Sequence, residues 1–177
     1  MKQSSLFLDA LRCKITARPP FWMMRQSGRY MPAYQKIRGV HKDFLTMIQK
    51  AEVTSELAML PMRRFQLDAA ILFSDILLVP YKMGLDLSFV AGHGPCFKEP
   101  IRNDAAVAQL KAIDVGHHLA CVTESLHRLV SHPELDKPVI GFCGSPWTLA
   151  VYMVEGTISK QPHHIFQMLY QQPKTLN

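Results

Sequence analysis

The chain is 177 residues long, 48% hydrophobic and 19% charged, and 20 lysines and arginines against 14 aspartates and glutamates give it a net charge of +6. That length allows one domain with a real core, and the composition excludes a disordered chain. The basic residues are scattered and form no run, which suits an anionic small molecule better than nucleic acid, although a plain solubility charge fits them equally.

The opening residues hold a brief apolar stretch broken by Asp9, too short for a secretory core, and read as an amphipathic helix opened by Ser4 or Ser5. Strands are expected at residues 21–25, 69–73 and 138–143. Between the first two, Val53, Leu57, Leu60 and Met62 recur at helical spacing over residues 51–65, with Pro61 expected to kink or break the helix. A hairpin or flap is expected over residues 84–95, where the chain alternates and then turns through glycines. Helices follow at 105–110 and 115–130, the second with Leu119, Val122, Leu126 and Leu129 on one face, and two more close the chain near 148–154 and 164–171. Short apolar runs alternating with helices are the order of parallel strands joined by crossover helices, and a single α/β domain over residues 1–177 is the economical division. The longest apolar run, 69–80, is broken by Ser74 and Asp75, so no segment approaches a membrane span.

Pro20-Phe-Trp-Met-Met-Arg-Gln-Ser-Gly-Arg-Tyr-Met-Pro-Ala-Tyr34 sets an apolar run directly against Arg25, Gln26, Arg29 and Tyr30. Two guanidinium forks on a rigid support suit a carboxylate or phosphate, with Gly28 letting the backbone turn; two solvated surface arginines are the plainer reading. In Asp68-Ala-Ala-Ile-Leu-Phe-Ser-Asp75 a carboxylate ends an apolar strand, where α/β proteins bind ligands. Burying it as an ion costs several kcal/mol unless donors surround it. Asp75 as a cap on a helix starting at Ile76 is an equal reading, and the two are compatible. Gly141-Phe-Cys-Gly-Ser-Pro-Trp-Thr-Leu-Ala-Val-Tyr152 repeats strand, small-residue turn and helix, with Ser145 as N-cap and Pro146 in the first turn. Tyr152 falls two turns in, either projecting its phenol toward a site or sitting in the core with its hydroxyl satisfied.

Cys13, Cys96, Cys121 and Cys143 are widely spaced with no C-x-x-C pair, which points away from zinc or a disulfide framework and toward a reducing compartment, the cytoplasm. The pairs His117-His118 and His163-His164 should diverge on their helices and share no metal. Met23, Met24, Met59, Met62 and Met153 read as core filler and Trp147 as a packing anchor.

Three segments in series, PFWMMRQSGRYMPAY, LDAAILFSDILLVPYKMGL with the following GHGPCFKEPIR, and IGFCGSPWTLAVYMVEG, resemble the uroporphyrinogen decarboxylase family, and the resemblance runs from about Leu6 to Leu176. It implies a (β/α)8 TIM barrel, usually a homodimer. The implied reaction removes carbon dioxide from the four acetate side chains of uroporphyrinogen III, giving coproporphyrinogen III without metal or organic cofactor. Asp75 matches the family's central aspartate, with the implied role of accepting the pyrrole N–H groups and stabilising the cation formed when a ring carbon is protonated. Arg25 and Arg29 match its paired carboxylate-binding arginines, with proton delivery at Arg25 best routed through water because guanidinium is a poor acid. Gln26 belongs to the same substrate-binding motif, and Tyr152 matches the tyrosine that helps position the aspartate or the substrate. No nucleic acid or membrane partner is implied.

Departures from the family pattern are Ala33 in place of an acidic residue, Lys50 in place of arginine, and Thr157-Ile158 where glycines usually follow Glu-Gly. The family runs to roughly twice this length, and a (β/α)8 barrel takes about 250 residues. The chain is therefore expected to hold only the N-terminal part, about three βα units, and to be a truncated decarboxylase. An open strand edge and bare inner face are expected to make it fold poorly or associate and show little activity alone. Two other readings are a barrel methyltransferase acting on corrinoid-bound methyl groups, and a non-catalytic tetrapyrrole-binding remnant; the arginine motif and Asp75 favour the decarboxylase.

Overall fold

The computed structural model describes residues 5–41, 43–90 and 92–176. Along the chain come α1 (Leu6–Leu11), α2 (Pro32–Val40), α3 (Phe44–Ile48), α4 (Ala51–Arg64), β1 (Ala70–Ile71), α5 (Leu78–Lys82), β2 (Leu87–Val90) and β3 (Gly94–Phe97). They are followed by α6 (Asp104–Ala108), α7 (Val115–His118), α8 (Ala120–Val130), β4 (Val139–Ile140), α9 (Pro146–Glu155), α10 (His163–Gln171) and α11 (Pro173–Leu176). The residues up to Ser74 together with Ala120–Phe142 form one compact unit, and Asp75–Leu119 with the residues from Cys143 form a second.

In the first unit β1 and β4 pair in parallel, Ala70 opposite Val139 and Ile71 opposite Ile140. Parallel strands need a long crossover, and the chain between them supplies it. Helix α4 backs this ladder and packs along α8. Met59 and Ala58 of α4 meet Leu72 and Leu129, with Val122, Leu135 and Val139 around them. Leu129 is fully buried, worth about 1.5–3 kcal/mol for such a side chain. The contact face of α8 is Val122, Ser125 and Leu129, whereas Leu126, expected on it, is 37% exposed. On α4 the buried positions include Thr54, Ser55 and Ala58. Small residues let two helix axes approach, so the stripe that matters is narrower and more polar than apolar spacing suggests.

Several expectations are corrected. Pro61 lies inside α4, which continues to Arg64 rather than breaking. No strand forms at residues 21–25, which are irregular and then turn. The expected helix over 115–130 is two helices, interrupted at Leu119 (φ −112°, ψ 23°). Ser5 takes the N-cap place of α1 without a side-chain bond, and Ser4 lies outside the described residues. Helices α2, α3 and α11 were not anticipated; α2 opens on a proline and α3 on Asp43, whose carboxylate accepts the Leu45 and Thr46 N–H groups.

In the second unit β2 and β3 form the expected hairpin, with Leu87 opposite Phe97 and Val90 opposite Gly94. The hairpin is tied to the end of α9. The Phe97 N–H donates to the Gly156 carbonyl at 2.7 Å, and the Thr157 hydroxyl donates to the Pro95 carbonyl at 3.0 Å. Arg102 Nε donates to the Val154 carbonyl at 2.7 Å, a cation at the negative end of a helix. Ser145 and Pro146 start α9 as expected, Ser145 Oγ accepting the Thr148 N–H at 3.1 Å. Gly156 ends it in the left-handed region at φ 83°. Val154 packs with Ile165 and Met168 of α10 to make this unit's core.

Candidate functional site

The arginine-bearing turn belongs to the first unit. Arg25 and Arg29 are exposed, and the Arg25 guanidinium has no ion pair or hydrogen bond among the described residues. The turn beneath them is internally hydrogen-bonded. Tyr30 Oη donates to the Gln26 carbonyl, the Met31 N–H to the Gly28 carbonyl at 3.0 Å, and Gln35 Nε2 to the Arg29 carbonyl at 2.6 Å. Met31 is buried and closes the turn onto α2. Behind it the Tyr34 ring tilts against Phe73, centroids 6.0 Å apart. Burial pushes the Tyr34 phenol up, while Arg38 and Arg29 pull it partly back. Gly28 is not required on steric grounds, since a Cβ there would meet the Tyr30 ring at an ordinary 3.6 Å.

Gln26 is the exception to the exposure of its neighbours. It is 1% exposed, and both polar atoms of its side chain are spent on β1. Nε2 donates to the Ala69 carbonyl at 2.8 Å, and Oε1 accepts the Ile71 N–H at 3.2 Å. Sequence reasoning also missed Arg18 and the role of Asp68. The Arg18 fork binds Asp68 at 2.6 and 2.9 Å, and the same carboxylate accepts the Phe21 N–H at 2.7 Å. The Arg18 guanidinium, helped by the Phe21 N–H, holds the Asp68 carboxyl below the usual range. A buried carboxylate at the start of a strand signals that a cation must come from somewhere, but spacing does not say which. Ser27 Oγ, also unanticipated, is buried without a partner among the described residues.

Asp75 and Tyr152 belong to the second unit. Asp75 Oδ1 accepts the Leu77 N–H at 2.8 Å, and the Leu78 N–H donates to its backbone carbonyl at 3.3 Å. The residue therefore organises the start of α5, although that helix begins two residues later than expected. Its other carboxylate oxygen has no hydrogen-bond partner among the described residues. Desolvation pushes the Asp75 carboxyl up, only partly offset by the Leu77 N–H. It is thus a carboxylate short of donors.

Gly144 lies close to both Ile76, next to Asp75, and Leu149 of α9. A Cβ there would fall 2.7 Å from Leu149 Cδ2 and 3.3 Å from Ile76 Cβ, so the close approach of these side chains depends on glycine. Tyr152, one turn beyond Leu149, is half-buried and lines a cavity of about 220 Å³ with Trp147, Val151, Thr157 and Ile158. Its hydroxyl has no partner among the described residues, which departs from a core tyrosine with a satisfied phenol.

Three further expectations, on Trp147, Met24 and the His117-His118 pair, fall away. Trp147 is 45% exposed and tilted against Phe166 rather than anchoring a core, and Met24 is 77% exposed. The His117 and His118 rings do not diverge but meet edge to face, centroids 4.9 Å apart. All four cysteines are free. Among the described residues no group of three or more His, Cys, Asp or Glu is placed to hold a metal ion, and no helix is long and apolar enough to cross a membrane.

Comparison with known proteins adds three findings. The family model described as uroporphyrinogen decarboxylase (URO-D) matches residues 2–177. Curated proteins named uroporphyrinogen decarboxylase are similar over nearly the whole chain. The protein of Idiomarina loihiensis is 44% identical over 171 residues, covering 97% of this chain and 48% of the relative. That of Tolumonas auensis is 45% identical over 175 residues, covering 99% and 49%. The chain thus spans about half the length of these relatives. Among solved structures, a methyltransferase from Methanosarcina mazei superposes with a TM-score of 0.72 at 16% identity, over 97% of this chain and 50% of that one. At that identity the likeness speaks for the fold alone: α/β, part of a (β/α)8 barrel.

Proposed function

Because the chain belongs to the uroporphyrinogen decarboxylase family, we propose that it supplies substrate-binding and charge-stabilising groups for the decarboxylation of uroporphyrinogen III. In that reaction each acetate loses carbon dioxide and gains one proton, becoming a methyl group. Protonation of a pyrrole ring carbon creates a cation that takes up the electron pair released when the adjacent C–C bond breaks. Arg25 and Arg29, exposed on a hydrogen-bonded turn, take substrate carboxylates. Asp75 takes the pyrrole N–H groups and stabilises the ring cation. Tyr152 helps orient it or the substrate.

The observation that carries this reading is the state of Asp75: one oxygen held by the Leu77 N–H, the other without a partner among the described residues, and the carboxyl raised by burial. A tetrapyrrole with four converging N–H groups supplies the donors such a carboxylate lacks. No organic or metal cofactor enters the proposal. A homodimer and a cytoplasmic location are part of the same reading. Alone, the chain is proposed to turn over slowly or not at all, since Phe21, Phe142 and Trp147 are 43–53% exposed and favour association over an ordered site.

The test is anaerobic incubation of the purified chain with uroporphyrinogen, with products separated by carboxyl count and Asp75→Asn as control. Loss of acetate carboxyls by the chain and not by the control supports a working site. Binding without product, weakened by Asp75→Asn, supports a cradle without turnover. Absence of both binding and turnover in folded protein overturns the proposal.

A further inference from the structure

We infer that Gln26 is a positioning residue that acts as a substitute strand at the edge of β1 and thereby fixes Arg25 and Arg29; the ligand part of this inference rests on the function proposed above. In a strand, alternate residues turn their N–H and carbonyl groups to opposite edges. On one edge of β1 the Ala70 and Leu72 N–H groups donate to the Pro138 and Ile140 carbonyls at 2.9 and 3.0 Å, on the side of β4. On the other edge stand the Ala69 carbonyl and the Ile71 N–H, the two groups a further strand would pair with. Gln26 takes both with one side chain, at 2.8 and 3.2 Å.

The segment leading to Gln26 is tied at the bend just before β1. The Asp68 N–H donates to the Phe21 carbonyl at 2.8 Å, and the Phe21 N–H donates to the Asp68 carboxylate. A single backbone-to-backbone bond is too little for a strand, so side chains complete the pairing. At the far end, Tyr30 Oη holds the Gln26 carbonyl. The turn bearing both arginines is therefore tied to β1 by one buried amide, which at 1% exposed presents no open face to a ligand. An unpaired buried amide or carbonyl costs about 1–3 kcal/mol, so the pairing is strongly specified.

Gln26→Met keeps length and volume but pairs with neither group; Gln26→Glu, also of the same length, keeps the acceptor and loses the donor. Three quantities are read: exchange of the Ile71 amide, backbone order of Arg25 and Arg29 from amide relaxation, and affinity for uroporphyrin, the stable octacarboxylate used as probe, by fluorescence. Gln26→Met is expected to speed Ile71 exchange and to weaken uroporphyrin binding, each by roughly tenfold or more, and to loosen both arginines. Arg29→Ala is expected to weaken binding with Ile71 exchange unchanged. Because Gln26 acts through both arginines, adding Gln26→Met to a chain already carrying Arg25→Ala and Arg29→Ala should weaken binding by no more than about a further twofold. If Gln26→Met does not fold, Gln26→Glu is read in its place through arginine order and uroporphyrin affinity, since it keeps the acceptor for the Ile71 N–H and loses only the donor to Ala69; unchanged order and affinity then overturn the positioning role.

Unchanged Ile71 exchange overturns the tether. Faster exchange with ordered arginines and unchanged affinity overturns the positioning role, and fully additive losses would make Gln26 a direct ligand contact instead. If the unaltered chain binds no uroporphyrin, the proposed function falls, while Ile71 exchange and arginine order still decide the inference about Gln26.

Discussion

Thr54 and Ser125 meet hydroxyl to hydroxyl at 2.7 Å, joining α4 to α8 inside the first unit. Both are at most 2% exposed, and the Lys50 and Ala51 carbonyls lie 3.2 Å from Thr54 Oγ1, so the pair has acceptors enough for its two protons. Ser125→Ala should cost about 1 kcal/mol, one buried hydrogen bond. Ser125→Leu, the apolar choice that helix spacing would favour, should cost more, about 1–3 kcal/mol, because it drives the helices apart. Denaturant unfolding of the two variants settles the order; a more stable leucine variant would show that the close approach is not what holds α4 and α8.

Gly144→Ala brings a Cβ to 2.7 Å from Leu149 Cδ2 and within 3.3 Å of Ile76 Cβ. The expected loss is about 1–3 kcal/mol of stability, with weaker uroporphyrin binding, since both neighbours lie beside proposed site residues. Gly141→Ala, where a Cβ meets nothing within 4 Å, is the matched control and should leave both readouts nearly unchanged.

Asp68 has its carboxyl lowered by Arg18 first and by the Phe21 N–H as well. A lowered folded value means that the unfolded chain binds the proton more tightly. The stabilisation is then fully present above the ordinary carboxylate value of 3.8 and is lost as pH falls through the lowered one. Asp68→Asn should lower the thermal midpoint at neutral pH, with the difference from the unaltered chain closing in acid. The half-exposed Arg18 side chain, at 52%, lets salt screen part of the effect.

Asp75 has the opposite sign. Burial raises its folded value, so the folded state holds its proton more tightly, and stability falls as pH rises from 3.8 through the raised value. Asp75→Asn should therefore unfold at a higher temperature than the unaltered chain at neutral pH, the gap shrinking in acid. The same substitution should weaken uroporphyrinogen binding about tenfold or more, the scale of hydrogen bonds to a charged acceptor. A variant that is both less stable and unimpaired in binding would contradict both halves.

The parts of this molecule legible in the sequence are those set by neighbours along the chain. Ser145 and Pro146 open α9 where expected because an N-cap and a first-turn proline act within three residues. The hairpin from Leu87 to Phe97 is likewise local. Residues 21–25 mislead because apolar residues of strand length describe burial as well as pairing, and whether a strand forms depends on Asp68 and β1, distant in the chain. Ser125 was invisible for a similar reason, since a polar residue on an apolar face makes sense only once Thr54 is known to oppose it. Among the candidate residues, Arg25, Arg29, Asp75 and Tyr152 were readable as side chains that need exposure or donors. The burial of Gln26 was not, because a glutamine beside two arginines looks like a third ligand until the edge of β1 is in view.

The parallel pairing of Ala70 with Val139 also sets a timetable for synthesis. The first unit is built from two separated stretches, and its second stretch ends at Phe142. A ribosome adding about 5–20 residues per second must release everything through that point before β1 acquires its neighbour. Until α8 has been made, Ala58, Met59 and Leu72 also lack Leu129, the residue they pack against. The intervening stretch must wait as a long closed loop whose entropy is spent before any contact repays it. A nascent chain stalled before Phe142 is thus the form most open to chaperones and proteases.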